Sequence, residues 1–484
     1  MSATIEDKYE AVIGLEVHAQ LQTASKLFVA DSAAFGGAPN THISPITLAH
    51  PGTLPFMNKK AVEYAIRLGL SCHCEIEKEN YFARKNYFYP DLPKGYQVSQ
   101  HTAPICIGGY VDIPTAAGTG KVHLNRIHLE EDAGKSIHDL DPAYTYVDYN
   151  RAGVPLVEIV TEPCIHNAED AYSYLTELRR LVRYIEVCDG NMEEGSMRCD
   201  ANISIRPKGE TKLGTKVEVK NMNSIRNVKR AIEAEISRQI QLVESGGRIE
   251  QETRSFDAST GTSFPMRSKE EANDYRYFPE PDLAPFNFTD AFIEEIRLQL
   301  PALPNELVEK YTTKLGLPGY DARVICDDKG TALYFESLTT LTPHYKAASN
   351  WMLGPIKSYL NDKSIDMDSF PLPAQVMADL ILLVQEGKLS FSAASSKLFP
   401  ALLEAPAKSP LELATEMNLL QNTDSGSLEI IIDEVLSLFP GKVAAYKAGK
   451  KGLIGMFVGE VMKRSKGNAD PKLTNQLLAS KLGQ

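Results

Sequence analysis

Glu16 and His18 lie two residues apart in AVIGLEVHAQL, residues 11–21, so on an extended chain both side chains leave the same face. A carboxylate beside an imidazole suits either acid–base chemistry or the holding of a cation; a solvated outer strand face carries the same pair with no chemistry at all. The stretch HLEEDAGKS, residues 128–136, repeats the theme. His128 and Glu130 share a strand face, Glu131 points away, and Asp132 returns to the first side. So dense an acidic run is tolerated where water solvates it, as in an exposed loop, or where cations neutralise it. A third segment, DYNRAGVPLVEIVTEP at residues 148–163, sets Glu158 inside the apolar run 156–160, after a stiff turn made by Arg151, Gly153 and Pro155. A carboxylate in such a run needs a partner, either a structural ion pair with Arg151 as the candidate cation, or a metal ion.

Two further segments concentrate cations. RKNYFYPDLPKGYQ, residues 84–97, interleaves Arg84, Lys85 and Lys94 with Tyr87, Phe88, Tyr89 and Tyr96. Basic groups can grip phosphates while rings stack on bases; a strand-and-turn core segment whose cations reach out to water has the same composition. Between Lys442 and Lys472 seven lysines and Arg464 face Glu460 and Asp470, a local +6 (8 minus 2) inside a chain of net charge −12. That contrast favours a polyanion partner over a merely solvated helical face. The GKS of residues 134–136 is no phosphate loop, because the first glycine of GxxxxGK[ST] would fall at Leu129 and the flanking acids repel phosphate.

The elements that must position these groups are legible in outline. Ala11, Ile13, Leu15, Val17, Ala19 and Leu21 alternate with Gly14, Glu16, His18 and Gln20, which predicts a half-buried strand. After the PGTLP turn, Asn58 is the expected N-cap of a helix carrying Ala61, Val62, Ala65, Ile66 and Gly69 on one side. Residues 197–206 and 216–220 alternate about a glycine-containing turn and predict a strand pair. Ala171, Leu175, Leu178, Leu181, Val182 and Ile185 define one amphipathic helix, and Val228, Ile232, Ile236 and Ile240 the next. Without a regular βαβ beat the fold class is α+β, with a mixed or antiparallel sheet. Near Phe288 the alternation fades into helical patterns punctuated by Pro301, Pro304, Pro371 and Pro373, and APAKSP at 405–410 reads as a linker to short Lys- and Gly-rich helices. The expected domains are therefore 1–292, a helical 293–404, and a small helical 405–484.

Bulk properties narrow the class. The 484 residues are too many for one core, and 43% hydrophobic with 24% charged residues is an ordinary globular balance. The net charge of −12 argues against wholesale nonspecific nucleic-acid binding but allows a local basic patch. MSATIEDKYE lacks an apolar h-region or an Arg-rich amphipathic stretch, and no apolar run reaches the roughly 18 residues of a span, so a cytoplasmic protein with no membrane partner is expected. Seven scattered cysteines suit reduced thiols; Cys72 and Cys74 have no second pair at zinc spacing.

Seven motifs, in order over the whole length, carry a resemblance: GLEVHAQL, RKNYFYPDLPKGYQ, HLEEDAGKS, VDYNRAGVPLVEIVTEP, EEGSMRCDANIS, VEVKNMNS and DYRYFPEPD. Together they resemble the B subunits of bacterial aspartyl/glutamyl-tRNA amidotransferases. The resemblance implies a catalytic cradle domain, a helical domain and a tail domain touching tRNA. It implies a heterotrimer in which the amidase, or A, partner releases ammonia from glutamine into a channel and the small C partner braces the other two. Its reaction phosphorylates the side-chain carboxylate of misacylated Glu-tRNA(Gln) or Asp-tRNA(Asn) with ATP, after which ammonia displaces phosphate. Carried over onto this chain, the Mg²⁺ ligands and channel-end acid fall on His18, Glu130 and Glu158, with Glu16 beside them; Mn²⁺ is an alternative because imidazole is an unusual Mg²⁺ ligand. Lys85, Arg151 and Lys220 are the expected contacts to phosphate or the tRNA end. Lys447, Lys450, Lys451, Lys463, Arg464 and Lys466 are the expected tRNA contacts of the tail. Some members carry a zinc knuckle whose positions here are Val29, Asp31, Ser44 and Thr47, so no zinc is expected. A free-standing carboxylate ligase and a non-enzymatic tRNA scaffold are the competing readings; the basic tail speaks against the first and the clustered acids against the second.

Overall fold

The computed structural model describes residues 8–266, 275–421, 425–465 and 469–483. Two compact units result, Met1–Leu303 and Pro304–Gln484.

The first unit is built on a mixed sheet whose centre is β1, Tyr9–Gln20. The alternation in its sequence is obeyed: Ile13, Leu15, Val17 and Ala19 are buried, while Glu16, His18 and Gln20 on the other side are half-buried. Five more strands matter for the site. They are β2 (Ala83–Asn86), β3 (Tyr96–Ser99), β4 (Gly118–Glu131), β5 (Pro155–Thr161) and β6 (Met197–Pro207). A short strand, β7 (Val217–Lys220), follows as the expected antiparallel partner of β6. Across the sheet the order runs β7–β6–β1–β5–β4–β3–β2, every pair antiparallel. A parallel strand, Thr253–Asp257, beside β7 makes the sheet mixed.

Helices α1 (Lys59–Ser71), α2 (Ala168–Tyr184) and α3 (Ile225–Glu244) share one apolar core with the buried residues of β1. Each starts where a side chain satisfies orphan amides: Asn58 accepts from Lys60 and Ala61, Asn167 from Asp170, and Ser224 from Asn227. With one face of the central strands packed under helices, the other is left to the polar groups.

The first unit reaches further than the expected break after residue 292. Helix α4, Asp290–Leu298, places Ile293 and Ile296 in the same core, so this helix belongs with the sheet. The two helical regions expected as separate domains fall in one compact unit. Within it, α5 (Ser425–Leu438), α6 (Pro440–Lys447), α7 (Ile454–Arg464) and α8 (Pro471–Gly483) close around Leu428, Ile432, Phe457, Val461 and Leu478. In the loop before α1 the Thr47 hydroxyl donates to Asp31, joining two of the positions that correspond to zinc ligands in other chains. Cys72, Cys74 and Cys106 are buried, and burial pushes their thiols up, so they stay protonated.

Candidate active site

Strand register brings the three acidic segments together. His18 of β1 stands directly opposite Glu158 of β5, which stands opposite His128 of β4; on the other flank His18 faces Arg198 of β6. Arg198, His18, Glu158 and His128 thus form one row across four strands. Glu130 lies two residues along β4 on the same face.

In this row His18 Nε2 is 3.5 Å from Glu130 Oε1 and 3.7 Å from Glu158 Oε2. His128 Nε2 is 3.3 Å from Glu158 Oε2 and 3.8 Å from Glu130 Oε2. One donor atom each from His18, Glu130 and Glu158 falls within 4.8 Å of the others. Among the described residues neither ring nitrogen of the fully buried His128 has a well-aligned hydrogen-bond partner, and its Nε2 lies against Glu158.

The titration pattern follows from crowding. Burial, and then the charge of Glu158, raises the Glu130 carboxyl. Burial also opposes ionisation of Glu158, but His128, His18 and Lys85 outweigh it and hold that carboxyl well below the usual range. Crowding thus drives the two neighbouring carboxyls apart, Glu130 upward and Glu158 downward. Burial lowers His18, leaving its imidazole neutral with a lone pair to offer. A neutral nitrogen, two buried carboxylates and an orphaned second imidazole make a donor set that fits a divalent cation; the nitrogen favours Mn²⁺ at least as well as Mg²⁺.

The acidic stretch after His128 is no exposed loop, since Glu130, Glu131 and Asp132 are each 3% exposed. Glu131 points to the opposite side, where its carboxylate pairs with Lys94 and accepts from the amide of Val98 at 3.0 Å. Asp132 accepts from Arg198 at 2.9 Å and from Gln20 at 2.7 Å. Arg151 does not pair with Glu158. Its guanidinium donates to the carbonyls of Ala133 (2.9 Å) and Gly134 (2.7 Å) and lies 3.7 Å from Asp132. The turn dictates this: Gly153, at φ 83°, folds the chain back so that its amide donates to the Asp132 carbonyl, which brings Arg151 to the end of β4.

Glu16 stands beside the three-ligand group. It accepts from Asn202 at 3.0 Å, and burial, then Glu158, Glu218 and Asp200, raise its carboxyl. Lys220, expected at a phosphate, is held at 2.6 Å from Asp200 and 3.1 Å from Glu218; burial works against its charge, but these two acids outweigh it. Lys85 Nζ lies over the rings of Tyr275 (5.0 Å) and Tyr87 (5.8 Å) on the Glu130 side. Arg84 and Lys94 are consumed by Glu280 and Glu131, so of the cations in that segment Lys85 is the one turned to the cluster. Sequence reasoning missed Arg198 as a site residue, although the alternation in MRCDANIS sets it on the polar face; what it lacked was the register. In the tail, Lys447, Lys450, Lys451, Lys463 and Arg464 are exposed, with Lys451 4.3 Å from the Tyr446 ring centre and Arg464 3.1 Å from Glu434. Lys466 lies outside the described residues.

The first unit is thus a helix-backed sheet displaying a three-strand acid–imidazole cluster. Residues 11–294 match the family described as GatB/GatE catalytic domain, and residues 333–482 match the GatB domain. The chain is 48% identical over 478 residues to the B subunit of the aspartyl/glutamyl-tRNA(Asn/Gln) amidotransferase of Geotalea uraniireducens, covering 98% of this chain and 99% of that one. The proteins of the same name from Persephonella marina (48% over 472 residues, 97% and 99% covered) and Salinibacter ruber (46% over 495, 98% and 97%) are similarly close. The chain belongs to this family of amidotransferase B subunits. No described helix is long and apolar enough to cross a membrane.

Proposed function

We propose that the chain uses ATP to activate the side-chain carboxylate of Glu-tRNA(Gln), Asp-tRNA(Asn) or both, working with an amidase (A) partner and a small (C) partner. A carboxylate oxygen attacks the γ-phosphorus and ADP leaves; ammonia then attacks the acyl carbon, phosphate departs, and the amide remains. The convergence of His18, Glu130 and Glu158 from three strands within 4.8 Å is the observation that carries this reading. These three would hold a divalent cation, which when bound offsets the repulsion between an anionic nucleophile and a triphosphate. Glu16, just outside the group and with its carboxyl raised, is suited to accept the proton that ammonia loses. Lys85 adds a cation on the same side for a phosphate. The exposed lysines of α6, α7 and the turn between them supply a basic surface for the tRNA body.

The test mixes the purified chain with its two partner proteins, Glu-tRNA(Gln), glutamine and ATP. ADP and Gln-tRNA should appear together. Amidated tRNA formed without ATP consumption, or ATP hydrolysis with no amidation of any misacylated tRNA, contradicts the proposal.

A further inference from the structure

Beside the cluster runs an unbroken line of rings that neither the cation-binding group nor the tail accounts for. Tyr87 meets Tyr275 edge to face with ring centres 6.0 Å apart and 71° between planes, Tyr275 meets Tyr277 in the same way at 6.1 Å and 70°, and Tyr277 stacks on His101 at 5.0 Å with 12° between planes. His101 in turn stands 6.0 Å from His128, whose Nε2 lies 3.3 Å from Glu158. None of the three tyrosines is buried, and His101 is exposed.

Two motifs far apart in sequence are joined to build it. Phe278 and Pro279 pair with Arg84 and Ala83 of β2. Just before them, the Asn86 side chain donates to the carbonyls of Tyr275 (3.1 Å) and Arg276 (2.9 Å), and the Asn86 amide donates to Tyr275 at 3.0 Å. Arg276 is held at φ 45°, a left-handed conformation that is unfavourable for any residue with a Cβ. A core needs no such clamp around half-exposed rings. Lys85 links the wall to the cluster, since its Nζ sits over Tyr275 and Tyr87 and its charge acts on both Glu130 and Glu158.

Flat rings, then a cation, then carboxylates able to hold a divalent ion reproduce the order of parts in a nucleotide: base, phosphate, and the metal that phosphate carries. We propose that Tyr275 and Tyr277, backed by Tyr87 and His101, form an angled wall in which an adenine base stacks on the face of one ring and meets the other at an angle. This rests on the reading that the chain acts on ATP and tRNA, and it names where the base goes. Both substrates bring an adenine, ATP in its base and the tRNA in its 3′-terminal nucleotide, so the shared chemistry is the purine face.

The test uses the assembled heterotrimer carrying Tyr275→Ala, Tyr277→Ala, Tyr275→Phe or Tyr277→Phe. Equilibrium dialysis gives the Kd for ATP, and filter binding gives the Kd for tRNA. The expected result is a rise of about tenfold or more, about 1.4 kcal/mol, in one of these constants for the Ala variants and less than threefold for the Phe variants. A rise for ATP with tRNA unchanged seats the ATP base on the wall; the converse seats the terminal adenosine. Ala variants that leave both constants within twofold overturn the inference, as do Phe variants as impaired as Ala, which would mean that the hydroxyls act and stacking does not. Circular dichroism of each complex guards against misfolding. A wild-type complex that binds both ligands yet makes no ADP would defeat the activation reading while the ring comparison stays decisive.

Discussion

Replacing Glu158 by Gln keeps the shape of the cluster and removes one charge. A cation shared by His18, Glu130 and Glu158 must lie close to the Glu158 carboxylate, given the 4.8 Å span of the donor atoms. Unit charges about 4 Å apart interact by roughly 4 kcal/mol at an effective dielectric near 20, and a divalent ion doubles that. Relief from desolvating a second buried carboxylate returns much of the gain, leaving about 3 kcal/mol, or about two orders of magnitude in Kd. In the cation-free protein Glu130 loses a like charge that raises it, but His128, His18 and Lys85 lose the carboxylate that they hold ionised, so the variant should also be less stable than the parent at neutral pH. Calorimetric titration of Mn²⁺ into the chain reads the first effect and thermal melting the second. ATP-dependent amidation by the complex should fall more than a hundredfold while tRNA binding is kept. Glu16→Gln, outside the three-ligand group, should weaken Mn²⁺ binding less than tenfold. A Glu158→Gln variant that binds Mn²⁺ within threefold of the parent, or a Glu16→Gln variant that binds it worse, would refute the assignment of ligands.

Three further outcomes are expected. Arg84→Ala strands the buried Glu280 carboxylate, which now accepts at 2.8 and 2.7 Å from that guanidinium, and should destabilise the chain by about 3–5 kcal/mol in urea titrations; replacing both partners with apolar residues should cost far less. Lys26 is fully buried, its Nζ donates to the Tyr149 carbonyl at 3.2 Å, and burial lowers it to about 8 despite Asp31, Asp148 and Glu131. Since the unfolded chain binds this proton more tightly, stability rises between pH about 8 and the ordinary lysine value. Lys26→Met should therefore stabilise the protein at neutral pH, by about 3 kcal/mol at most, and the advantage should vanish as pH climbs through that window; a pH-independent melting difference would exclude the explanation. The pair Lys450→Glu and Lys451→Glu should weaken tRNA binding and reduce the slope of log affinity against log salt by roughly one to two, whereas an unchanged slope would mean that these lysines touch no phosphate.

Much of the first unit was legible residue by residue. Alternation in 11–21 and 197–206 shows which side chains share a face, and Asn58 marks a helix start, because both signals depend only on neighbours a few residues away. The expected break after residue 292 falls inside the helix of Ile293 and Ile296, whose periodicity tells which side is apolar but not which core receives it. The candidate site divides in the same way. His18, Glu130 and Glu158 each looked like a group in need of a partner, and they proved to be one another's neighbours. Arg151, in contrast, was weighed as a partner of Glu158, seven residues on; the Gly153 turn carries it to Asp132 instead. Lys220 and Lys94 looked free for phosphate, and acids from other segments occupy both.

What the chain determines by itself is local: facing, capping, turn geometry, and the presence of acids and imidazoles that apolar surroundings will not tolerate alone. Which of them meet was decided by the tertiary structure, through the pairing of β1 with β5 and of β5 with β4. A slip of one residue in either pair would turn every carboxylate to the opposite face, and nothing in the spacing within one strand records that alignment. It is set by the apolar residues on the far side, which must all reach the same helices at once.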